Sequence, residues 1–373
     1  MRIAFIILIA LHGGIHLFGF FKAFGISEFN AINLPISRIS GIFWLLTSIL
    51  FLLSGILILI RNDSWWISGF LALIFSQGLI ISYWSDAKFG SIANMIILIV
   101  IIGAYARQNF KNEIREERKV LLNKEGVINQ SIVQARDIES LPPIVQKWMR
   151  NSGVVGKPMV SNVFLTQKLE LKLKPEQEGW NSGCAEQYFT IQSPAFNWSM
   201  NTQMNQVLNV TGRDKFEDGR GEMMIRLLSF IPVADVKNDF KINQASLQRF
   251  LAEIVWFPSA ALSPYIQWEK IDENSARATM TYNGTKGSGV FFFDEDGTFK
   301  NFVAMRFKDK EDTAPTEWIV TATKTEKRNG IKIPVECEAS WMVENEQWTW
   351  LRLKIQSIAY DVGEIHEQDG VRK

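Results

Sequence analysis

Four apolar stretches occupy the first third of the chain: Ile3–Phe21, Gly41–Ile60, Ser64–Trp84 and Phe89–Tyr105. Each reaches or approaches the roughly 20 residues that a helix needs to cross about 30 Å of hydrocarbon. The fourth is the shortest and would stand nearly upright. None contains proline, so each can satisfy its backbone polar groups within its own helix. No small-x-small cleavage site precedes Lys22, and three further stretches follow, which argues against a cleaved leader. The pattern predicts a four-helix transmembrane bundle over residues 1–105.

The pattern then changes. Arg107 to Glu125 mixes six basic and four acidic residues with Ile114, Val120, Leu121 and Leu122. This reads as a helical connector over 106–126, continuing the fourth helix into water and ending at Gly126. From 127 to 373 the period is mainly two. Eleven alternating segments between Val160 and Tyr360 read as strands. Glu217-Asp218-Gly219, Asn283-Gly284, Asp296-Gly297 and Asn329-Gly330 supply hairpin turns. Hairpins spaced this way make an antiparallel meander, not a βαβ repeat. Two helices are expected, near 142–152 after Leu141-Pro142-Pro143 and near 244–256 before Phe257-Pro258. The second carries a broad apolar face of Leu247, Phe250, Leu251, Ile254 and Val255. A long meander needs its apolar face covered. The economical arrangement is a curved, half-barrel-like antiparallel sheet wrapped around that helix, giving an α+β soluble domain.

Charge sharpens the division. The chain has 40 basic and 39 acidic residues and a formal net charge of +1, yet only eight of these charges fall in residues 1–105. This excludes an ordinary cytosolic enzyme, a disulfide scaffold and a nucleic-acid binder that relies on bulk positive charge. Arg2, Arg61, Arg107, Lys111, Arg115, Arg118 and Lys119 lie on one side of four spans, against Lys22, Arg38 and Lys88 on the other. That excess places both termini in the cytoplasm and the bundle in the cytoplasmic, or inner, membrane.

Candidate chemistry is sparse. His12 and His16 share one face of the first helix, and Ser48, Ser76, Gln77 and Asn94 lie at similar depth. With Lys22, Asp86 and Lys88 in the outer loops, they outline a small polar pocket in the outer half of the bundle. Interhelical hydrogen bonding is the simpler role for such groups. No Cys, Glu or third His joins the two histidines in the spans, so neither a metal nor a haem is expected there. The soluble domain has one histidine, His366, in a polar tail, which leaves no nucleophile–histidine pair and no catalytic residues to name. Gly212-Arg213-Asp214 reads as part of a turn that exposes its carboxylates. Arg249 and Glu253 are four apart on the enclosed helix and should form a partly buried ion pair. With Trp256 and Trp268 they are the candidate lining of an apolar cavity in a domain that holds nine of the 13 tryptophans. Cys184 and Cys337 would stay thiols in the cytoplasm; outside they could pair if their strands met.

Several strings are more specific. In the membrane part they are Leu11-His12, His16, Gly19-Phe20-Phe21-Lys22-Ala23-Phe24-Gly25 and Trp84-Ser85-Asp86-Ala87-Lys88-Phe89-Gly90 with Asn94. In the soluble part they are Leu141-Pro142-Pro143, Gly212-Arg213-Asp214, Gly219, Gly221, Arg249-Phe250-Leu251-Ala252-Glu253, Trp256-Phe257-Pro258, Trp268-Glu269 and Ile333-Pro334. On these the chain resembles a bacterial family of four-span membrane proteins with a C-terminal domain of unknown function. The soluble part resembles lipoprotein carriers in architecture. The resemblance implies the two-part plan and brings no activity. The expected function is non-catalytic binding of a lipid or other apolar ligand, with membrane lipids as partners and no nucleic acid. The alternative is a membrane enzyme or transporter-like module working at the bundle pocket.

Overall fold

The computed structural model describes residues 2–27, 32–125, 131–204 and 209–365. Gly126, His366 and the start of the segment expected as a strand from Val207 lie outside them. The chain divides into two compact units, Met1–Asn112 with Leu228–Phe230, and Glu113–Leu227 with Ile231–Lys373.

In the first unit lie α1 (Arg2–Ala23), α2 (Arg38–Leu59), α3 (Trp65–Ser82) and the part of α5 (Gly90–Glu125) up to Asn112, and these four helices are long and apolar enough to cross a membrane. A single turn, α4 (Trp84–Ala87), precedes α5 and takes the end of the third apolar stretch with it. The bundle is apolar outside and more polar within. Ile3, Leu11, Ile39, Ile56, Ile92 and Ile99 are exposed, whereas His12, His16, Ser54, Ser76 and Asn94 are buried beside Ile9 and Phe51. Gly19 allows α1 to meet α2 closely: a Cβ there would lie 2.3 Å from the Trp44 ring.

The second unit holds α6 (Pro143–Ser152), α7 (Phe240–Glu253) and one 13-stranded antiparallel sheet. Its strands are β1 (Asn162–Leu171), β2 (Asn181–Thr190), β3 (Ala195–Gln203), β4 (Asn209–Glu217), β5 (Arg220–Leu227) and β6 (Ile231–Lys237). After α7 come β7 (Ile266–Lys270), β8 (Ser275–Tyr282), β9 (Thr285–Phe293), β10 (Phe299–Arg306), β11 (Thr316–Arg328), β12 (Ile331–Val343) and β13 (Glu346–Tyr360). Each run is a meander, and the two runs join where β1 pairs with β13. The edges, β6 and β7, stay apart, so the sheet is curved but unclosed. Asp239 caps α7, accepting from the Lys241 N–H at 2.8 Å. α7 touches β4 and β5 on one arm and β8, β9 and β10 on the other, which requires the sheet to wrap around it. Gly221 makes the approach possible: a Cβ would sit 2.4 Å from the Ile242 carbonyl oxygen.

Phe250, Leu251, Ile254, Trp256 and Phe257 fill the curve, all at most 3% exposed. The interior near these residues is thus a packed core. β6 and β7 were not legible as strands for physical reasons. β6 carries Pro232, tolerated at an edge where no ladder N–H is needed there, and β7 is five residues long with two charges. The Gly212-Arg213-Asp214 string lies within β4 rather than in a turn. The turn comes later, at Asp218 (φ 50°) and Gly219 (φ 77°), two successive left-handed residues as a tight hairpin demands. Cys184 on β2 and Cys337 on β12 are separated by β1 and β13 and form no disulfide. Three strand spacings of about 4.8 Å exceed the reach of an S–S bridge.

Candidate functional site

The register decides which side chains meet on the concave face. Gln187, Trp198 and Asp214 are directly paired across β2, β3 and β4. On the other arm, Trp318, Trp341 and Trp348 are paired across β11, β12 and β13, and Ala304 of β10 pairs with Trp318. Arg306 is two residues beyond Ala304 and so faces the same way. α7 carries Arg249 and Glu253 on one stripe, and these side chains meet the sheet residues in one charged cluster.

Arg249 is its centre. It donates to Glu253 at 2.9 Å and to Asp214 at 2.7 Å. Its guanidinium also lies 4.9 Å from the Phe196 ring centre and 4.7 Å from that of Trp198. Glu253 accepts a second bond from Gln187 Nε2 at 2.8 Å. Burial raises the Glu253 carboxyl above the usual carboxylate range, and Arg249 opposes that rise only in part. Cys337 lies close enough to feel Glu253, and burial pushes its thiol up to about 12.

Arg306 is differently placed. Its Nε donates to the Ala245 carbonyl at 3.0 Å, and its guanidinium stacks 4.5 Å above Trp318 and 5.7 Å from Trp341. Among the described residues no carboxylate comes within ion-pair distance of it, because Asp214 and Glu253 are both spent on Arg249. Burial first, and Arg249 second, lower Arg306 to about 10. Nearby buried polar atoms lack partners in the same region: the indole Nε1 atoms of Trp318, Trp348 and Trp350, and the Oε1 atoms of Gln187 and Gln248. Val320, Ala322, Leu353 and Trp348 remain half-buried on the concave face, so this part of the sheet is less covered than the core around Trp256.

Of the four residues expected to line a cavity, Arg249 and Glu253 form the ion pair. Trp256 is buried and donates to the Pro334 carbonyl at 3.0 Å, while its own carbonyl accepts from Tyr360 Oη at 2.8 Å. Trp268 donates to the Ala261 carbonyl at 3.0 Å and packs with Trp148 and Phe291. Both tryptophans staple loops to the sheet. Gln187 and Arg306 escaped the sequence reading, Asp214 was placed in an exposed turn, and Trp318 was counted only among the domain's tryptophans. Arg306 did leave a signal: Phe302, Ala304 and Arg306 alternate, which puts a charge on the apolar face of β10.

The first unit brings part of its expected set together. His12 Nε2 is 2.9 Å from Asn94 Oδ1 and 3.3 Å from Ser76 Oγ. Asn94 Nδ2 donates to Gln77 Oε1 at 3.0 Å, and Gln77 Nε2 donates to Ser91 at 3.2 Å. One network thus joins α1, α3 and α5. His16 Nδ1 is 2.8 Å from the His12 carbonyl, which can only accept, so the proton sits on Nδ1. His16 Nε2, Trp44 Nε1 and Ser48 Oγ are buried without partners. The loop charges stand apart from this network. Asp86 accepts from the Asn33 and Leu34 N–H groups, both at 2.8 Å, which hold its carboxyl below the usual range. Lys22 donates to the Ile32 carbonyl, and Lys88 lies over the Phe89 ring. Among the described residues no three His, Cys, Asp or Glu side chains are arranged to hold a metal ion.

A family profile described as a family of unknown function matches residues 139–360. No curated protein matches the chain. Among solved structures, the chain is similar to a LolA superfamily protein from Nitrosomonas europaea, at 8% identity and a TM-score of 0.33, covering 62% of this chain and 93% of that one. It is also similar to a beta-barrel-like protein of a domain of unknown function, DUF1849, from Brucella abortus. There the identity is 12% and the TM-score 0.26, over 54% of this chain and 98% of that one.

Proposed function

The chain belongs to the family of unknown function DUF6920, and from its own residues we propose that it is a membrane-anchored binding protein for an amphiphilic, largely apolar molecule. The four apolar helices would cross the cytoplasmic membrane, with both termini in the cytoplasm on the lysine and arginine count. Their apolar exterior and polar interior favour a lipid surround.

The concave face of the sheet would hold the ligand. The observation that carries this reading is the Trp318 indole N–H, buried without an acceptor on the ring over which Arg306 stacks; the Trp348 and Trp350 indole N–H groups are buried without acceptors as well. Buried donors ordinarily find partners, because an unmade bond costs about 1–3 kcal/mol. Tryptophan offers an apolar face for a chain and one donor for a polar end. Val320, Ala322 and Leu353 would carry the apolar part and Arg249 with Glu253 would border the polar part.

Native mass spectrometry of the gently extracted full chain tests this. A retained lipid-sized mass is expected, together with a change in tryptophan emission on adding an amphiphile. A chain that retains none, and whose emission ignores added amphiphile, would overturn the proposal. A second reading, a membrane module working within the bundle, rests on the buried, unpartnered His16 Nε2, Trp44 Nε1 and Ser48 Oγ. It predicts that His16→Phe alters the phenotype while the sheet's ligand binding persists.

A further inference from the structure

On the reading just given, the ligand's polar end remains to be identified, and Arg306 identifies it. We infer that the concave face takes a singly tailed anionic amphiphile, with its carboxylate or phosphate on Arg306 and the Trp318 indole N–H.

The argument begins with charge pairing. Four ionisable groups gather around α7: Asp214, Arg249, Glu253 and Arg306. Both carboxylates bind Arg249, at 2.7 and 2.9 Å. Arg306 is left with one neutral acceptor, the Ala245 carbonyl, for five N–H donors. A half-buried guanidinium with no carboxylate partner keeps N–H donors free for an incoming anion, and a carboxylate or phosphate fits its fork. Here the flanking surfaces are instead two tryptophan rings, which hold the cation in plane and leave its edge for an anion.

The second observation is independent of the first. Trp318 is only 5% exposed, and its Nε1 has no acceptor. The indole donor belongs to the very ring over which the guanidinium stacks, and two donors with no acceptor between them suit an anion and not a cation. The tail follows from what lies beyond. Trp341, Trp348, Val320 and Leu353 extend from Trp318 over β11 to β13 as an apolar surface, half-buried at Trp348, Val320 and Leu353. A single chain suits that strip better than a bulky, doubly tailed lipid, because the core around Trp256 and Phe250 is already filled.

The test uses the full chain in detergent, with tryptophan emission as the readout. The probes are oleate, lysophosphatidic acid, oleyl alcohol and inorganic phosphate. The wild type should bind oleate about tenfold more tightly than oleyl alcohol, the size of one charge-assisted contact. Arg306→Met should bring that ratio close to one, and Arg306→Lys, which keeps the charge and loses the fork, should give an intermediate ratio. Near-ultraviolet circular dichroism checks the fold of each variant. If Arg306→Met misfolds, the Arg306→Lys ratio decides: a value equal to the wild type overturns the inference. Equal affinity for oleate and oleyl alcohol in the wild type also overturns it, while leaving amphiphile binding in place. Binding of inorganic phosphate as tight as that of lysophosphatidic acid would assign the site to a free anion and overturn the amphiphile. If no probe binds at all, the broader binding proposal fails with it.

Discussion

Arg213 and Asp214 are neighbours in β4 and send opposite charges to opposite faces of the sheet. Arg213 faces outward, 3.3 Å from Glu117 at the end of α5 and 2.9 Å from Glu222 on β5. Asp214 faces inward, 2.7 Å from Arg249 on α7. One strand therefore clamps a helix on each side, because alternate residues of a strand point in opposite directions. Arg118, a residue beyond Glu117, extends the outer clamp to Glu186 at 2.8 Å and Ser199 at 2.7 Å. Lys215, two residues beyond Arg213, lies 3.3 Å from the same Glu117 carboxylate.

The outer clamp should be costly to break. Arg213 is 3% exposed, and Arg213→Met would leave Glu117 and Glu222 with Lys215 as their remaining cation, at 3.3 and 3.8 Å. Removing one partner of a buried pair costs about 3–5 kcal/mol, and the partly exposed carboxylates point to the lower end. The expected loss is about 3 kcal/mol, read as a lower denaturant midpoint for the full chain. The double variant Arg213→Met, Glu117→Met should recover part of it. A single variant as stable as the wild type would show that the cluster is dispensable.

The bundle network should behave more modestly. His12→Phe removes the 2.9 Å contact with Asn94 and the longer 3.3 Å contact with Ser76, but Asn94 keeps its contacts with Ser76 and Gln77. Interhelical hydrogen bonds in membranes average about 0.6 kcal/mol and reach about 1.7. Thermal unfolding in detergent should fall within that range, and Asn94→Leu, which severs three contacts, should cost more than His12→Phe. The reverse order would mean that His12 has a role beyond this network.

How much of this was readable beforehand differs by element. The antiparallel meander and its enclosed helix follow from period-two alternation, tight turns and the apolar stripe of α7, all local signals. Arg249 and Glu253 were visible because four residues on a helix fix their proximity. Asp214 was not, since its partner is 35 positions away, and the glycine before Arg213 suggested a turn. Gly212 lies instead in strand, where the Met200 side chain takes the room a Cβ would fill, at 3.1 Å. Arg306 and Trp318 meet through the pairing of β10 with β11, and that register depends on the whole sheet. His12 and Asn94, 82 residues apart, were flagged only as polar groups at similar depth.

The two thiols should react very differently. Cys337 is 2% exposed, and burial pushes its thiol up to about 12, so almost no thiolate forms near neutrality. Cys184 is only half-buried. A maleimide at neutral pH should label Cys184 in the folded chain and reach Cys337 only after denaturation. With an impermeant reagent, the proposed orientation predicts labelling of Cys184 in inside-out vesicles and not in intact cells. Labelling in intact cells would reverse the orientation.

Stability should carry a pH signature from Glu253. Burial raises its folded pKa above the ordinary value of 4.5, despite Arg249 and Gln187. Between those two values the folded chain binds more protons than the unfolded one. Unfolding free energy then falls as pH rises through that window, since its slope follows the unfolded minus the folded proton count. Below 4.5 both states are protonated, and the contribution is fully present; above the folded value it has been lost. Glu253→Gln keeps an acceptor for Gln187 and donors toward the cluster but cannot ionise. Relative to the wild type, this variant should therefore gain stability as pH rises above 4.5 and level off once wild-type Glu253 is ionised. Chemical unfolding of both chains across a pH series measures the difference directly. A gap that widens in favour of the wild type would mean instead that the Arg249 pair stabilises ionised Glu253 more than burial penalises it.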